Sequence, residues 1–302
     1  MDKILREKII LPSWELIKND TKVKKFYLFP GIISIIFLSV LLVYQTIYTY
    51  VELFGQKEQA LEIILEFFHS NYVVEILIGS IIFLIIYFLL IPIFEGGLIK
   101  YIESKDLKKE FTTSEAFGQG VYNFFPLFEY NNLFSEFKII SILNGYLFTI
   151  RFIGVEYIKH ISYIFIILLI LGIILNILFV YSKYIIVLNK KNVFESIGIS
   201  SKITILNIKR TTKLYFLILF LNMRVVFNFI IFLSFPIIIV IAISLITTKI
   251  FLIMAISIII LLFIVLILIL GYLSAVLEVF KTAVWYYAYH EGKKLLEDEL
   301  SK

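Results

Sequence analysis

Five stretches of this chain carry no charged residue over about the length that a helix needs to cross a bilayer, or longer. They are 26–51, 76–94, 161–182, 225–248 and 250–277, of 26, 19, 22, 24 and 28 residues. A helix rising 1.5 Å per residue needs roughly 20 apolar residues to cover the hydrocarbon core. Ile, Leu and Phe sit in continuous runs instead of alternating with polar residues, so the solvent around most of the chain must itself be apolar. With 61% apolar residues there is not enough polar surface for a water-soluble fold. The expected class is all-α: a polytopic integral membrane protein, multi-pass in the cell membrane, built as a single membrane domain over residues 1–302.

A sixth span is predicted at 137–158, and it rests on charge instead of length. Its apolar stretch is short and is followed by Arg151 and Glu156. If this segment crosses, the outer side of the membrane holds only Lys57, Arg151, Lys159 and Lys249, and the other 24 of the 28 Lys and Arg residues lie in the cytoplasm. If it does not cross, the basic stretch 183–224 lies outside and the asymmetry disappears. Because Lys and Arg accumulate in cytoplasmic loops, the sequence predicts six transmembrane helices with both termini inside, N-in and C-in. The predicted spans are about 26–51, 73–95, 137–158, 161–184, 222–248 and 250–280. The first run is too long for a signal-peptide core and is read as a retained anchor.

Amphipathic interfacial helices are expected at about 10–22, 58–70, 113–125 and 193–210. Three cytoplasmic segments lead into outward-going spans and form a degenerate repeat: SWELIKNDTKVKKFYLF from Ser13, SEAFGQGVYNFFPLF from Ser114 and SIGISSKITILNIKRTTKLYFLIL from Ser196. The best match pairs IKNDTKVKKFYLF with IKRTTKLYFLIL. Pro30, Pro92 and Pro236 fall near or inside spans, with Pro236 the best kink candidate. Gly96 and Gly97 are read as the C-cap of span two. Asn144, Asn176 and Asn228 suit interhelical hydrogen bonds.

Little in the sequence points to chemistry. Cysteine is absent, which excludes disulfides and thiolate sites. His69, His160 and His290 have no ligand-spaced partner, and no phosphate loop or nucleophile elbow occurs. No catalytic, cofactor-binding or metal residue is therefore expected, and no cofactor. The net charge of +5 is distributed beside apolar spans, which favours anionic lipid over nucleic acid. Charged groups at membrane depth are the natural candidates for a site: Glu75, Glu95, Arg151, Glu156, Arg224, Glu278 and Lys281. If spans five and six fold back at Lys249, Arg224 comes level with Glu278. A structural ion pair of Arg224 and Glu278 is predicted, with Glu95 as a third member.

The SWELIKND start, the EGGLIKYIES turn followed by SEAF, the VFESIGISSK lead into span five and the closing FKTAVWYYAYHEGKK give the chain a family likeness. It resembles the membrane domain associated with glycerophosphoryl diester phosphodiesterases and related six-helix bacterial membrane proteins. That resemblance implies a bacterial cytoplasmic membrane and a lipid-facing architecture. It carries over no catalytic residue, because the diesterase activity of that family belongs to a separate soluble barrel. The expected function is a non-catalytic interaction, accessory or lipid-handling module, with membrane lipids and other membrane proteins as partners. The alternatives are a small-solute or lipid transporter and, last, an intramembrane enzyme. Oligomeric state is not encoded in any feature read above.

Overall fold

The structure is a computed structural model that describes residues 3–53, 55, 57–223 and 249–301. Every regular element among the described residues is helical. A π-helical turn, Leu5–Ile10, leads into α1 (Leu11–Asn19), followed by α2 (Thr21–Phe26), α3 (Leu28–Leu53), α4 (Lys57–His69) and α5 (Val73–Asp106). Then come α6 (Thr113–Tyr122), α7 (Phe124–Ser135), α8 (Ile139–Ile153), α9 (Ile158–Leu178), α10 (Ser182–Asn189) and α11 (Val193–Leu206). Helix α12 covers 208–223, and α13 is a single 52-residue helix, Lys249–Leu300.

Three helical stretches are long and apolar enough to cross a membrane: Val73–Asp106, Ile158–Asn189 and Leu261–Leu300. No more than 17% of the most apolar stretch of any of them is buried within the chain. Large aliphatic side chains such as Ile81, Ile167 and Leu268 stand more than half exposed along them. Helix α8 is only 15 residues long, about 22 Å at the rise of an α-helix. It runs antiparallel against α9, with Asn176 Nδ2 donating to the Phe137 carbonyl at 2.8 Å and Tyr146 hydrogen-bonded to Ser162 at 2.8 Å. The predicted span 222–248, Pro236 and Asn228 lie outside the described residues.

The chain divides into two compact units. One comprises the described residues of 24–91 and 230–278. Here α3 meets α13 through glycines: a Cβ on Gly31 would press on the Gly271 carbonyl and Ala275, and one on Gly271 would meet Ile32. Phe37 of α3 stacks on Tyr87 of α5 with ring centroids 4.2 Å apart.

The other unit comprises the described residues of 1–23, 92–229 and 279–302, and it contains most of the buried core, including Leu98, Tyr101, Leu127, Ile185, Ile203, Val279 and Tyr286. Gly96 and Gly97 do not end α5 as expected. The helix continues through Pro92 and both glycines to Asp106 and stops where Lys108 turns left-handed at φ 55. The two glycines are buried inside the helix because α6 crosses them at backbone distance. A Cβ on Gly120 of α6 would overlap the Ile93 carbonyl oxygen and crowd the Gly97 nitrogen.

The repeat is present in space, in a different register from the one predicted. Each copy is a helix, a break at an Asx residue, and a second helix: α1–Asp20–α2, α6–Asn123–α7 and α11–Asn207–α12. Counted from the break, position −7 is Ser13, Ala116 or Ser200, each with no exposed surface. Position −3 is Ile17, Gly120 or Thr204, all buried. Val23, Leu127 and Thr211, three or four residues after the break, are fully buried too. The middle copy resisted alignment because its inward face is Ala and Gly where the third uses Ser and Thr. What the copies share is small size, which a residue-by-residue match does not detect.

These crossings predict an unequal response to one added methyl group. Gly120→Ala forces α6 off α5 and lowers stability by about 1–3 kcal/mol, read as a drop in thermal midpoint in detergent. Gly118→Ala, two residues away on a face with nothing within 4 Å, leaves the midpoint unchanged or slightly raised.

Candidate functional site

The polar chemistry of the larger core is gathered where the long helices end. Glu95 sits on α5, one turn beyond Pro92, and is ion-paired with Lys183 at the start of α10. Side-chain exposures of 19% and 25% place both groups largely out of water. Asn131 Nδ2 of α7 donates to the second Glu95 oxygen at 3.2 Å, and Lys183 Nζ lies 5.8 Å from the Tyr130 ring centroid. Tyr130 is itself fixed by donating to the Phe179 carbonyl at 2.9 Å. Three helices are thus tied at one charge pair.

Asp20 forms a second node. Its Oδ1 accepts from the N–H groups of Lys22 at 2.8 Å and Val23 at 3.2 Å, which caps α2. Its Oδ2 accepts from the Tyr101 hydroxyl at 3.0 Å and pairs with Lys105 at 3.3 Å. Burial alone would raise this carboxyl, but the Tyr101 hydroxyl, the Val23 amide and Lys105 together hold it below the ordinary carboxylate range.

Buried tyrosines complete the layer, each needing a partner for its hydroxyl. Tyr286 donates to Asp106 at 3.2 Å, Tyr289 to Asn189 at 2.9 Å and Tyr184 to the Thr282 carbonyl at 3.1 Å. Tyr181 shares a hydrogen bond of 2.8 Å with Thr211 and meets Trp285 edge-on. At the gap between α9 and α10, Ser200 Oγ donates to the Leu178 carbonyl at 2.8 Å and accepts from the Tyr181 N–H at 3.1 Å. Thr204 reaches the same Leu178 carbonyl at 3.1 Å. Hydroxyls from the crossing helix therefore replace the hydrogen bonds that the helix break forgoes.

Of the predicted cluster, Glu95 is found with Lys183 and Asn131. Glu278 is half-buried on α13 in the smaller unit, and Arg224 lies outside the described residues. Lys183 was missed, although a signal was present: Glu95 and Lys183 are each the first charge after a long uncharged run, 76–94 and 161–182. Opposite charges that each close a long uncharged run are natural partners. Among the described residues, no three His, Cys, Asp or Glu side chains converge to hold a metal ion. Asn176 bonds across the α8–α9 hairpin as well as to its own helix. The arrangement neutralises and fixes charge.

No protein-family model, curated protein or solved structure matches the chain.

Two outcomes follow from these nodes. Lys183→Gln strands a largely buried carboxylate and costs about 3 kcal/mol, whereas the double variant Glu95→Gln, Lys183→Gln regains much of the lost thermal midpoint. Asp20, with its folded pKa depressed, stabilises the fold above its unfolded value near 4. That contribution disappears as pH falls through the lower folded value. Asp20→Asn is therefore expected to flatten the fall in thermal midpoint below about pH 4.

Proposed function

We propose that the protein is a six-span membrane protein with both termini in the cytoplasm, acting as a non-catalytic, lipid-handling accessory module. One observation carries this reading: the three helix–break–helix units, or elbows, bury small residues on part of their inward faces while large aromatic side chains stand exposed on their outward faces. Their inward faces hold Ser13, Ala116, Gly120, Ser196 and Ser200, all buried. Their outward faces hold Trp14 at 57% exposure, Phe125 at 79% and Phe194 at 72%. Water penalises that arrangement, whereas the headgroup and upper acyl region of a bilayer favours it, since aromatic rings settle there.

The antiparallel α8–α9 hairpin supports a crossing by α8 in spite of its length. Lys138 and Arg151 bracket the helix, and long basic side chains reach the interface from a short span. The crossing in turn preserves the 24 to 4 distribution of basic residues. A transporter concentrates polar groups and broken helices near mid-span, whereas Glu95 and Lys183 each sit just beyond the end of a long uncharged run. The likeness to a diesterase-associated membrane domain favours the same role, that of a membrane part serving a partner activity.

Two measurements test the reading. A reporter fused after Lys159 reports from outside the cytoplasm; a cytoplasmic signal would sink the six-span topology. The chain has two tryptophans, and Trp285 is buried, so Trp285→Phe leaves Trp14 as the sole fluorophore. In nanodiscs, brominated acyl chains quench Trp14 strongly and aqueous iodide weakly; the reverse order would show that the elbow faces water.

A further inference from the structure

The three elbows share an inward register, yet their outward faces differ in charge. The middle one, α6–Asn123–α7, has no Lys or Arg anywhere between Lys109 and Lys138. The third, α11–Asn207–α12, exposes Lys202 on α11 and, beyond the break, Lys209 and Lys213 one turn apart on α12. Ile205, Leu206 and Ile208 are exposed among them at 64%, 44% and 45%.

None of these three lysines forms an ion pair among the described residues. Carboxylates do capture exposed lysines elsewhere in the same unit: Lys191 pairs with Glu195, Lys293 with Glu297 and Lys294 with Glu291. Three cations therefore remain for an external anion beside a strip of exposed aliphatic surface. A zwitterionic headgroup brings its own cation and a soluble anion has no use for the aliphatic strip; an anionic phospholipid matches both parts.

We propose that the third elbow is a binding site for one anionic phospholipid, its phosphate held by Lys209 and Lys213 one turn apart on α12 and its acyl chains lying along Ile205 and Ile208. This deepens the proposed function, resting on the elbow's position at the membrane surface, and identifies the lipid class that the surface selects. The middle elbow has the same inward architecture without the cations and serves as an internal control.

The test uses the full chain purified in neutral detergent, with phosphatidylglycerol or phosphatidylcholine added at equal concentration and retained lipid counted by native mass spectrometry. Wild type retains phosphatidylglycerol preferentially, and Lys209→Gln with Lys213→Gln weakens that retention roughly tenfold or more, at about 1 kcal/mol for each surface lysine. Lys209→Arg with Lys213→Arg keeps it. All three positions are exposed, so the variants fold, and an unchanged thermal midpoint verifies this. Unaltered retention in the Gln variant overturns the proposal. So does displacement of the lipid by millimolar inorganic phosphate, which would mark a site for free anions. Either result leaves the proposed function standing if brominated lipid still quenches Trp14, whereas loss of that quenching removes the premise on which this site rests.

Discussion

Everything in the larger unit depends on helices crossing at backbone distance. A helix that turns large aromatic side chains outward buries less bulk, so close contact of backbone and small side chains becomes a main part of what holds it in place. Gly120 against Ile93 and Gly97 is the bare form of this contact, and the Ser200 and Thr204 hydroxyls at the α9–α10 gap are its hydrogen-bonded form. In a medium where apolar burial between helices gains little over contact with lipid, close packing and hydrogen bonds supply the attraction. The smallness of the residues at these positions is therefore the feature that the repeat preserves.

The same arrangement explains where the polar groups went. With the outward surface given to Phe, Ile and Trp, hydroxyls and carboxylates turn inward, and each must then find a partner away from water. Tyrosine suits this position because its ring fills the core while its hydroxyl reaches a neighbouring helix. Tyr101, Tyr184, Tyr286 and Tyr289 each join segments at least 81 residues apart in sequence. The Glu95–Lys183 pair follows the same logic with full charges, where removing one partner is far costlier than removing both.

The long helices were legible because the property that makes them, an uncharged run, is local and needs no knowledge of neighbours. Capping is equally local in the structure: Thr112 with Glu115 forms a capping box, and Asn192 caps α11. Pairwise features were harder to read. Gly96 and Gly97 resemble a helix stop in sequence and become a crossing point only once Gly120 is placed against them. Lys183 looked like a boundary residue until α10 brought it beside Glu95. The elbows were hidden more deeply, since Ser13, Ala116 and Ser200 are equivalent by volume and position, not by chemistry.

One contact gives the repeat a further consequence. Helix α6 packs on the end of α5, which precedes it in sequence, and α11 packs on the end of α9, which precedes it likewise. The N-terminal helical segment docks on α13 by side chains, through Lys8 with Glu291 at 3.4 Å and Trp14 edge-on to Phe280. The first elbow is thus tied to a helix far along the chain by an ion pair and a ring contact, where the others use close backbone or hydroxyl contacts. Loop-closure entropy grows only slowly with the length of chain to be closed. Even so, this docking cannot form until α13 exists, so this elbow is completed only after the two elbows that follow it in sequence. A fragment lacking the second half of α13 would leave Lys8 and Trp14 without these partners.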